Sequence, residues 1–358
     1  MRIGIYSPYL DILGGGEKYM LTAASALSTK HDVALFWNQE EVLSKAQEKF
    51  NIDLSRVNVV SNIFSEDVST QKRFLQSKKF DAIFFLSDGS LPLVGTDLCV
   101  HFQFPVEWVD TKGFVNSLKI RRIKKIVCNS NYTKEHIDKK FNRESIVLYP
   151  PTYFKSKMPK VDLSQKQNII LNVGRYARFP NGGSVKKQEF MIEAFKSMYD
   201  KGLLGWQLYL VISFTQKEGE FVQSLKKSIG KYPIKIMENV SYKDLLEQYK
   251  KSKIYWHAAG VGEDLSVHPE RAEHFGITTV EAMLNGLVPI VIEAGGQKEI
   301  VEEAESGFLW TNDIELIEKT FMVTNDQKLF TRISQNASKK AQQFSTDSFC
   351  QKVLNIFS

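Results

Sequence analysis

The sequence predicts an α/β protein of two parallel-sheet domains, and three observations carry that prediction. The chain has 358 residues, too many for one ordinary domain and suited to two. Short apolar runs alternate with helix-patterned segments, as where crossovers join parallel strands. The alternation starts afresh at Asn168–Val173, after residues 151–167, which are rich in Lys, Ser and Pro and read as a linker. An apolar content of 43% and a charged content of 25% are those of a soluble globular protein. Cys99, Cys128 and Cys350 have neither metal-ligand nor disulfide-framework spacing and read as small buried apolar residues. Met1 leads straight into a strand, so no secretory signal is expected, and no apolar run approaches the roughly 18 residues of a membrane span. A cytoplasmic protein is the expectation.

Arg2–Tyr6 reads as the first strand, followed by Gly14-Gly15-Gly16 and a helix over Glu17–Leu27. Strand, glycine loop and helix suit the approach of a phosphate, because glycine lets backbone come close. The spacing is neither that of a dinucleotide site nor of a Walker loop, so a plain tight turn is an equal reading. Strands follow at Asp32–Leu35, Val57–Val60 and Ala82–Leu86, with helices at Glu40–Phe50 and Thr70–Lys78 between them. Cys99–Pro105 is a strand ending in a loop. There His101 is either a core histidine bonded to a carbonyl or a site residue. Asn129-Ser130-Asn131-Tyr-Thr is followed by a helix to about Phe141, and Pro150-Pro151 stiffens the exit of the first domain. The expected domains are residues 1–155, joined by a last helix at 344–358, and residues 165–343.

Charge is uneven. Of a net +6, Thr111–Lys140 holds nine basic residues against only Glu135 and Asp138. Three readings of this stretch stay open: a solvated face, a patch for anionic lipid, or a nucleic-acid surface. The last lacks any accompanying motif.

In the second domain Asn168–Val173 is a strand, followed by Gly174-Arg175, a loop over Tyr176–Val185, and Lys186-Lys187-Gln188. The helix Glu189–Tyr199 carries a stripe of Phe190, Met191, Ala194, Phe195 and Met198. Trp206–Ile212, Ile234–Met237 and Ile254–His257 are further strands, with His257 favoured as a plain strand-end residue. Gly260–Arg271, with Glu263 and Asp264, reads as an insertion that could close as a lid. Then comes Glu273-His-Phe-Gly-Ile-Thr-Thr-Val-Glu281. A helix starting near Gly276 presents unpaired amides and a positive dipole end to an anion, with the hydroxyls of Thr278 and Thr279 beside them. Two carboxylates around an amide cradle suit a ligand with phosphate in the middle and hydroxyls at both ends. Leu287–Ile292 is a buried strand, Gly295-Gly296 opens a helix at Lys298–Glu305, and Ser306–Trp310 turns into one more strand. The tail from Ile314 is helical in pattern.

The run E-x-F-G-I-x-x-x-E-A-M, then G-x-x-P-x-V, G-G-x-x-E-I-V and G-F-L resembles the donor-site signature of family-4 retaining glycosyltransferases. The resemblance covers most of the chain, strongest over 168–310 and moderate over 1–20 and 126–151. It implies the GT-B fold: two Rossmann-like domains facing each other across a cleft, with the last helix, Asp347–Phe357, packing on the first. It also implies roles. Glu281 would accept from ribose hydroxyls, Glu273 would orient the donor sugar, and amides of Phe275, Gly276, Ile277 and Thr278 would hold its oxygens. Arg175 and Lys186 would grip the diphosphate. The loop before Lys186 is longer than is usual, which leaves Lys187 as a substitute. Gly15 and Gly16 would face the diphosphate, His101 the transferred sugar, and Asn239 and Val240 the base. No D-x-D triad is present, Asp81 and Asp88 do not form one, and no metal or cofactor is expected beyond a nucleoside-diphosphate sugar. The implied activity is retaining transfer of a hexosyl group, of mannosyl or glucosyl type, to a hydroxyl of a glycan or lipid-linked acceptor. The enzyme would then be cytoplasmic, sitting on the inner face of a membrane if residues 111–140 bind lipid, with nucleic acid not expected as a partner. Two rivals remain: a sugar-nucleotide epimerase or hydrolase on the same fold, or a non-enzymatic basic protein that binds membrane or nucleic acid.

Overall fold

The computed structural model describes residues 1–153, 156, 158–179 and 182–358. Phe154, Lys155 and Lys157 of the expected linker, and Pro180 and Asn181 of the long loop before Lys186, lie outside the described residues. The chain divides into two units, Met1–Pro151 with Phe344–Ser358, and Thr152–Gln343.

Unit 1 alternates β1 (Arg2–Tyr6), α1 (Gly15–Leu27), β2 (Asp32–Phe36), α2 (Glu41–Phe50), β3 (Val57–Val60), α3 (Thr70–Ser77), β4 (Ala82–Ser87), β5 (Asp97–Phe102), α4 (Phe114–Arg122), β6 (Ile123–Cys128), α5 (Asn131–Phe141) and β7 (Ile146–Val147). The central β4 is buried along its whole length, as where helices cover both faces of a parallel sheet. The strands pair in parallel in the order β3-β2-β1-β4-β5-β6-β7.

Unit 2 holds β8 (Gln167–Arg175), α6 (Gln188–Asp200), β9 (Gln207–Ser213), α7 (Gly219–Ser228), β10 (Ile234–Glu238), α8 (Tyr242–Lys251), β11 (Ser252–His257), α9 (Ile277–Leu284), β12 (Val288–Ile292), α10 (Gln297–Ile300), β13 (Phe308–Trp310), α11 (Asp313–Asn325) and α12 (Gln327–Ala341). Its sheet, also parallel, runs β10-β9-β8-β11-β12-β13. The core gathers Trp256, Trp310, Phe195 and Phe330, and the Trp256 indole donates to Thr320 Oγ1 at 3.1 Å. The last helix, α13 (Thr346–Ile356), belongs to unit 1. There Phe349 meets the Tyr19 ring edge-on at 4.8 Å, and Lys125 Nζ donates to the Ile356 carbonyl.

In both sheets the strand order reverses beside the first strand, between β1 and β4 and again between β8 and β11. Open parallel sheets bind ligands outside the carboxyl ends of strands at such a point.

Three helices, α4, α7 and α8, are absent from the sequence reading, and one expected helix is cut short. In place of Lys298–Glu305, α10 ends at Ile300. Ala304 adopts a left-handed φ of 56°, Glu303 bridges to Gly307, and Ser306 Oγ takes the Glu302 amide, so a turn replaces the helix.

Candidate active site

The site in unit 2 is built where Glu273-His274-Phe275-Gly276 lies against Gly295-Gly296. A Cβ on Gly295 would come within 2.1 Å of the Glu273 carbonyl oxygen, and one on Gly296 within 2.5 Å of Phe275 Cα. The Gly296 amide donates to that same carbonyl at 2.7 Å. The glycine pair therefore serves as a floor on which the loop rests. Gly276 then turns with φ 116°, ψ 58° and becomes the N-cap of α9. No side chain caps this helix, and the Gly276 carbonyl accepts from the Thr279 and Val280 amides. The amides of Ile277 and Thr278 are left for an outside acceptor.

Glu273 is the hub. Its Oε2 accepts from Lys186 Nζ at 2.5 Å and from His257 Nε2 at 2.7 Å. Burial alone would raise its pKa. The Lys186 charge and the His257 hydrogen bond outweigh that and hold the carboxyl well below the usual range, so Glu273 is ionised. His257 is fully buried at the end of β11, and burial lowers its pKa against the pull of Glu273. A neutral imidazole facing a carboxylate must carry its proton on Nε2. Nδ1 then has no hydrogen-bond partner.

The two lysines before α6 separate because Lys187 takes a left-handed φ of 56° as that helix's N-cap. Lys186 reaches Glu273. Lys187 reaches Glu263 Oε1 at 2.5 Å, while Arg271 holds Glu263 Oε2 at 2.7 Å. Glu263, expected in a lid, is thus an ion-pair anchor, and Lys187 is committed to it. Arg175, the last residue of β8, is exposed and forms no ion pair among the described residues.

Glu281 stands on α9 and accepts from Tyr249 Oη at 3.1 Å. Tyr249 is buried. Its carbonyl and that of Asn285, the C-cap of α9, both accept from Lys166 Nζ, at 3.0 and 2.6 Å. Lys166, read as linker, is in fact a buried ammonium joining the carboxyl ends of α8 and α9. Burial pulls its pKa down to about 7 from an ordinary 10.5. Between those values the unfolded chain keeps a proton that the folded chain has released, so stability rises with pH. Urea denaturation is expected to give a larger unfolding free energy at pH 9 than at pH 7. Lys166→Met should flatten the difference; an unchanged slope in that variant would contradict this.

Several expected residues are placed otherwise. His101 is a core residue: it is fully buried in unit 1, its ring stacks on Tyr19 at 4.0 Å, and its Nδ1 bonds the Val127 carbonyl at 3.1 Å. Burial drives its pKa to about 3. The active-site reading of His101 is corrected on these grounds. Thr278 Oγ1 is paired with Tyr255 Oη at 2.7 Å, where either oxygen can be the donor, and Thr279 is fully buried. Asn239 Oδ1 accepts from the Phe214 amide at 2.9 Å and so ties the loop after β10; half-buried Val240 follows it. Gly15 and Gly16 are not a loop but the first turn of α1 in unit 1, where a Cβ on Gly16 would strike the Gln103 side chain at 2.7 Å. Of the sequence candidates, the structure joins Lys186 directly to Glu273 and sets the Gly276 cap one residue past His274-Phe275. It adds Tyr249 and Tyr255, and it brings in His257, which the sequence left between a cleft residue and the favoured plain strand-end residue.

Two such parallel units, each with the strand order that reverses beside its first strand, define the GT-B class of fold. The chain belongs to the group 1 glycosyl transferases: the model of that family matches residues 154–340, just over half of the sequence. It is therefore a glycosyltransferase. It is 21% identical to a GDP-Man:Man(3)GlcNAc(2)-PP-Dol alpha-1,2-mannosyltransferase of Dictyostelium discoideum, across 99% of this chain and 84% of that protein. The corresponding protein of Xenopus tropicalis is 24% identical, across 97% and 85%. Among solved structures, HepE of Anabaena in complex with UDP and glucose superposes with a TM-score of 0.71 at 19% identity, across 100% of this chain and 99% of that one. WaaG, a glycosyltransferase involved in lipopolysaccharide biosynthesis, gives 0.65 at 15% identity, across 99% of both chains.

Proposed function

We propose that the enzyme is a retaining, metal-independent mannosyltransferase that uses GDP-mannose and a lipid-linked glycan. The mannosyl donor and lipid-linked acceptor follow the names of the Dictyostelium and Xenopus relatives. The observation that carries the reading is the pairing of Lys186 and His257 on one oxygen of Glu273, just ahead of the uncapped start of α9.

In this reading the diphosphate lies against the amides of Ile277 and Thr278, with Lys186 and Arg175 on its oxygens. The two cations and the helix terminus take on the charge that a metal would otherwise neutralise. In the free enzyme Glu273 stands in for that anion on Lys186. Once the lysine turns to phosphate, His257 keeps the carboxylate ionised and aimed at the sugar hydroxyls. Glu281, fixed by Tyr249, accepts from the ribose. The bond between the anomeric carbon and the phosphate oxygen breaks. That oxygen takes the acceptor's proton, and the acceptor oxygen bonds to the anomeric carbon on the same face. Gly15, Gly16 and Val240 stay as candidate donor contacts, to be tested by substitution.

The test is incubation with GDP-mannose in EDTA, with and without a glycan on a prenyl diphosphate. The anomeric configuration of the product is then read by NMR. An α-linked product that needs the acceptor is expected. A β-linked product, a requirement for metal, or conversion of the donor alone to free mannose or an epimer would overturn the proposal.

A further inference from the structure

The end of the stretch that reads as a linker is built into unit 2. Lys166 is buried there, and Val161 packs where a Cβ on Gly286, just past α9, would have to go. With α8 and the end of α9 this segment encloses a cavity of about 360 Å³, the size of a small-molecule site. Gln167 lines it and pairs in register with Ser252, the first residue of β11, so the cavity sits at the amino ends of β8 and β11. From Gln167, β8 runs nine residues to Arg175, about 26 Å, which sets the cavity apart from the start of α9.

Its polar groups differ in what they already hold. Asp162 accepts from the Ser164 amide and hydroxyl at 3.0 and 2.6 Å, and Glu247 accepts from Lys250 Nζ at 2.7 Å. The Asn285 side chain donates to the Glu281 carbonyl at 2.8 Å. Lys160 and Lys251 enter no ion pair among the described residues, and the side chains of Gln165 and Gln167 make no hydrogen bond among them. Lys251 is half-buried, with its ammonium 5.4 Å from the centre of the Tyr209 ring. Burial, and then the charge of Lys235, press its pKa below the ordinary value against a weaker pull from Glu247. The cavity thus offers two ammonium groups without a counter-charge and two free carboxamides. The cations call for an anion, and carboxamides, which both donate and accept, suit hydroxyls. Among the described lining residues only Val161 is apolar, so a nucleobase or an acyl chain would find no surface to stack or pack on. Inorganic phosphate would fill a small part of the volume and leave the carboxamides unused.

We propose that this cavity is a second ligand site, separate from the donor site, that takes a sugar monophosphate. Lys160 and Lys251 meet the phosphate, and Gln165 and Gln167 meet the sugar hydroxyls. Binding there needs neither donor nor acceptor, so its failure leaves the transfer proposal standing.

The test is calorimetric titration of the full chain with mannose 6-phosphate and glucose 6-phosphate, beside mannose and inorganic phosphate, without and with excess GDP and UDP. A sugar phosphate is expected to bind more tightly than either of its parts, equally well with the nucleotides present, and more weakly as salt rises, since exposed charges are screened. Lys160→Ala with Gln165→Ala changes only exposed positions, so an unchanged melting temperature is expected, with affinity lowered about tenfold or more. Lys251→Gln removes the other cation and should weaken binding in the same way. The proposal is overturned if neither sugar phosphate binds, or if inorganic phosphate binds as tightly as they do. It is equally overturned if GDP or UDP displaces the sugar phosphate, or if the Lys160→Ala, Gln165→Ala variant binds it as the wild type does.

Discussion

Lys186→Ala is expected to lower kcat for sugar transfer by about 10²–10³, the loss of about 2.7–4 kcal/mol measured when one preorganised donor to a developing oxyanion is removed. The ammonium is the cation that the structure brings to Glu273 at the uncapped end of α9, and negative charge grows on the leaving diphosphate as its bond to sugar breaks. The effect should fall on kcat more than on donor KM, because that charge is largest in the transition state. Lys186→Arg should recover part of the rate. Removing Arg175 as well should deepen the loss, though not additively, since both cations answer the same charge. Lys187→Ala provides the contrast. Its ammonium is tied to Glu263, so the loss should appear in melting temperature and only weakly in kcat. Full activity of the Arg175→Ala, Lys186→Ala double variant would remove the electrostatic part of the mechanism.

Glu281→Ala is expected to raise donor KM by about tenfold to a hundredfold, because each hydrogen bond to a charged acceptor contributes about 1.5–3 kcal/mol. Ribose is remote from the bond that breaks, so kcat should change less. Tyr249→Phe should move KM in the same direction by a smaller factor, since it frees the carboxylate from its 3.1 Å tether without removing it. Equal losses in kcat and none in KM would place Glu281 at the reacting centre instead.

The parts of the fold legible in the sequence were those set by near neighbours in the chain. Strands such as Ala82–Ser87 are unbroken apolar runs, and the start of α9 is announced by Gly276 before Ile277. Of the candidate site, the Glu273 to Glu281 segment stood out because the whole run resembles a donor-site signature; two carboxylates around one glycine would not have marked it alone. What was not legible depends on contacts distant in sequence. His257 meets Glu273 sixteen residues on, and Tyr249 meets Glu281 after thirty-two. Each looks from its own surroundings like a core residue. His101 erred the other way. The end of an apolar run offers no sign of whether a histidine faces solvent, and here Tyr19 from α1 covers it. The turn that shortens α10 is centred on left-handed Ala304, and the Gly307 that closes it lies beyond the expected end of the helix, so nothing earlier announces it. Helix α4 was hidden because alternating basic and apolar residues over Leu118–Val127 fit helix or strand.

The central claim is that a nucleotide sugar binds at the start of α9 with Glu281 on its ribose. A thermal-shift panel of GDP, UDP, ADP and CMP, run on wild type and Glu281→Ala, tests it most directly, because a ligand bound only by the folded state raises the melting temperature by mass action. The account predicts that GDP stabilises the wild type and that the shift is largely lost in Glu281→Ala. If a different nucleotide gives that pattern, the GDP assignment falls while the site stands. If no nucleotide shifts the folded protein, or if the variant responds as fully as the wild type, the donor site has been put in the wrong place.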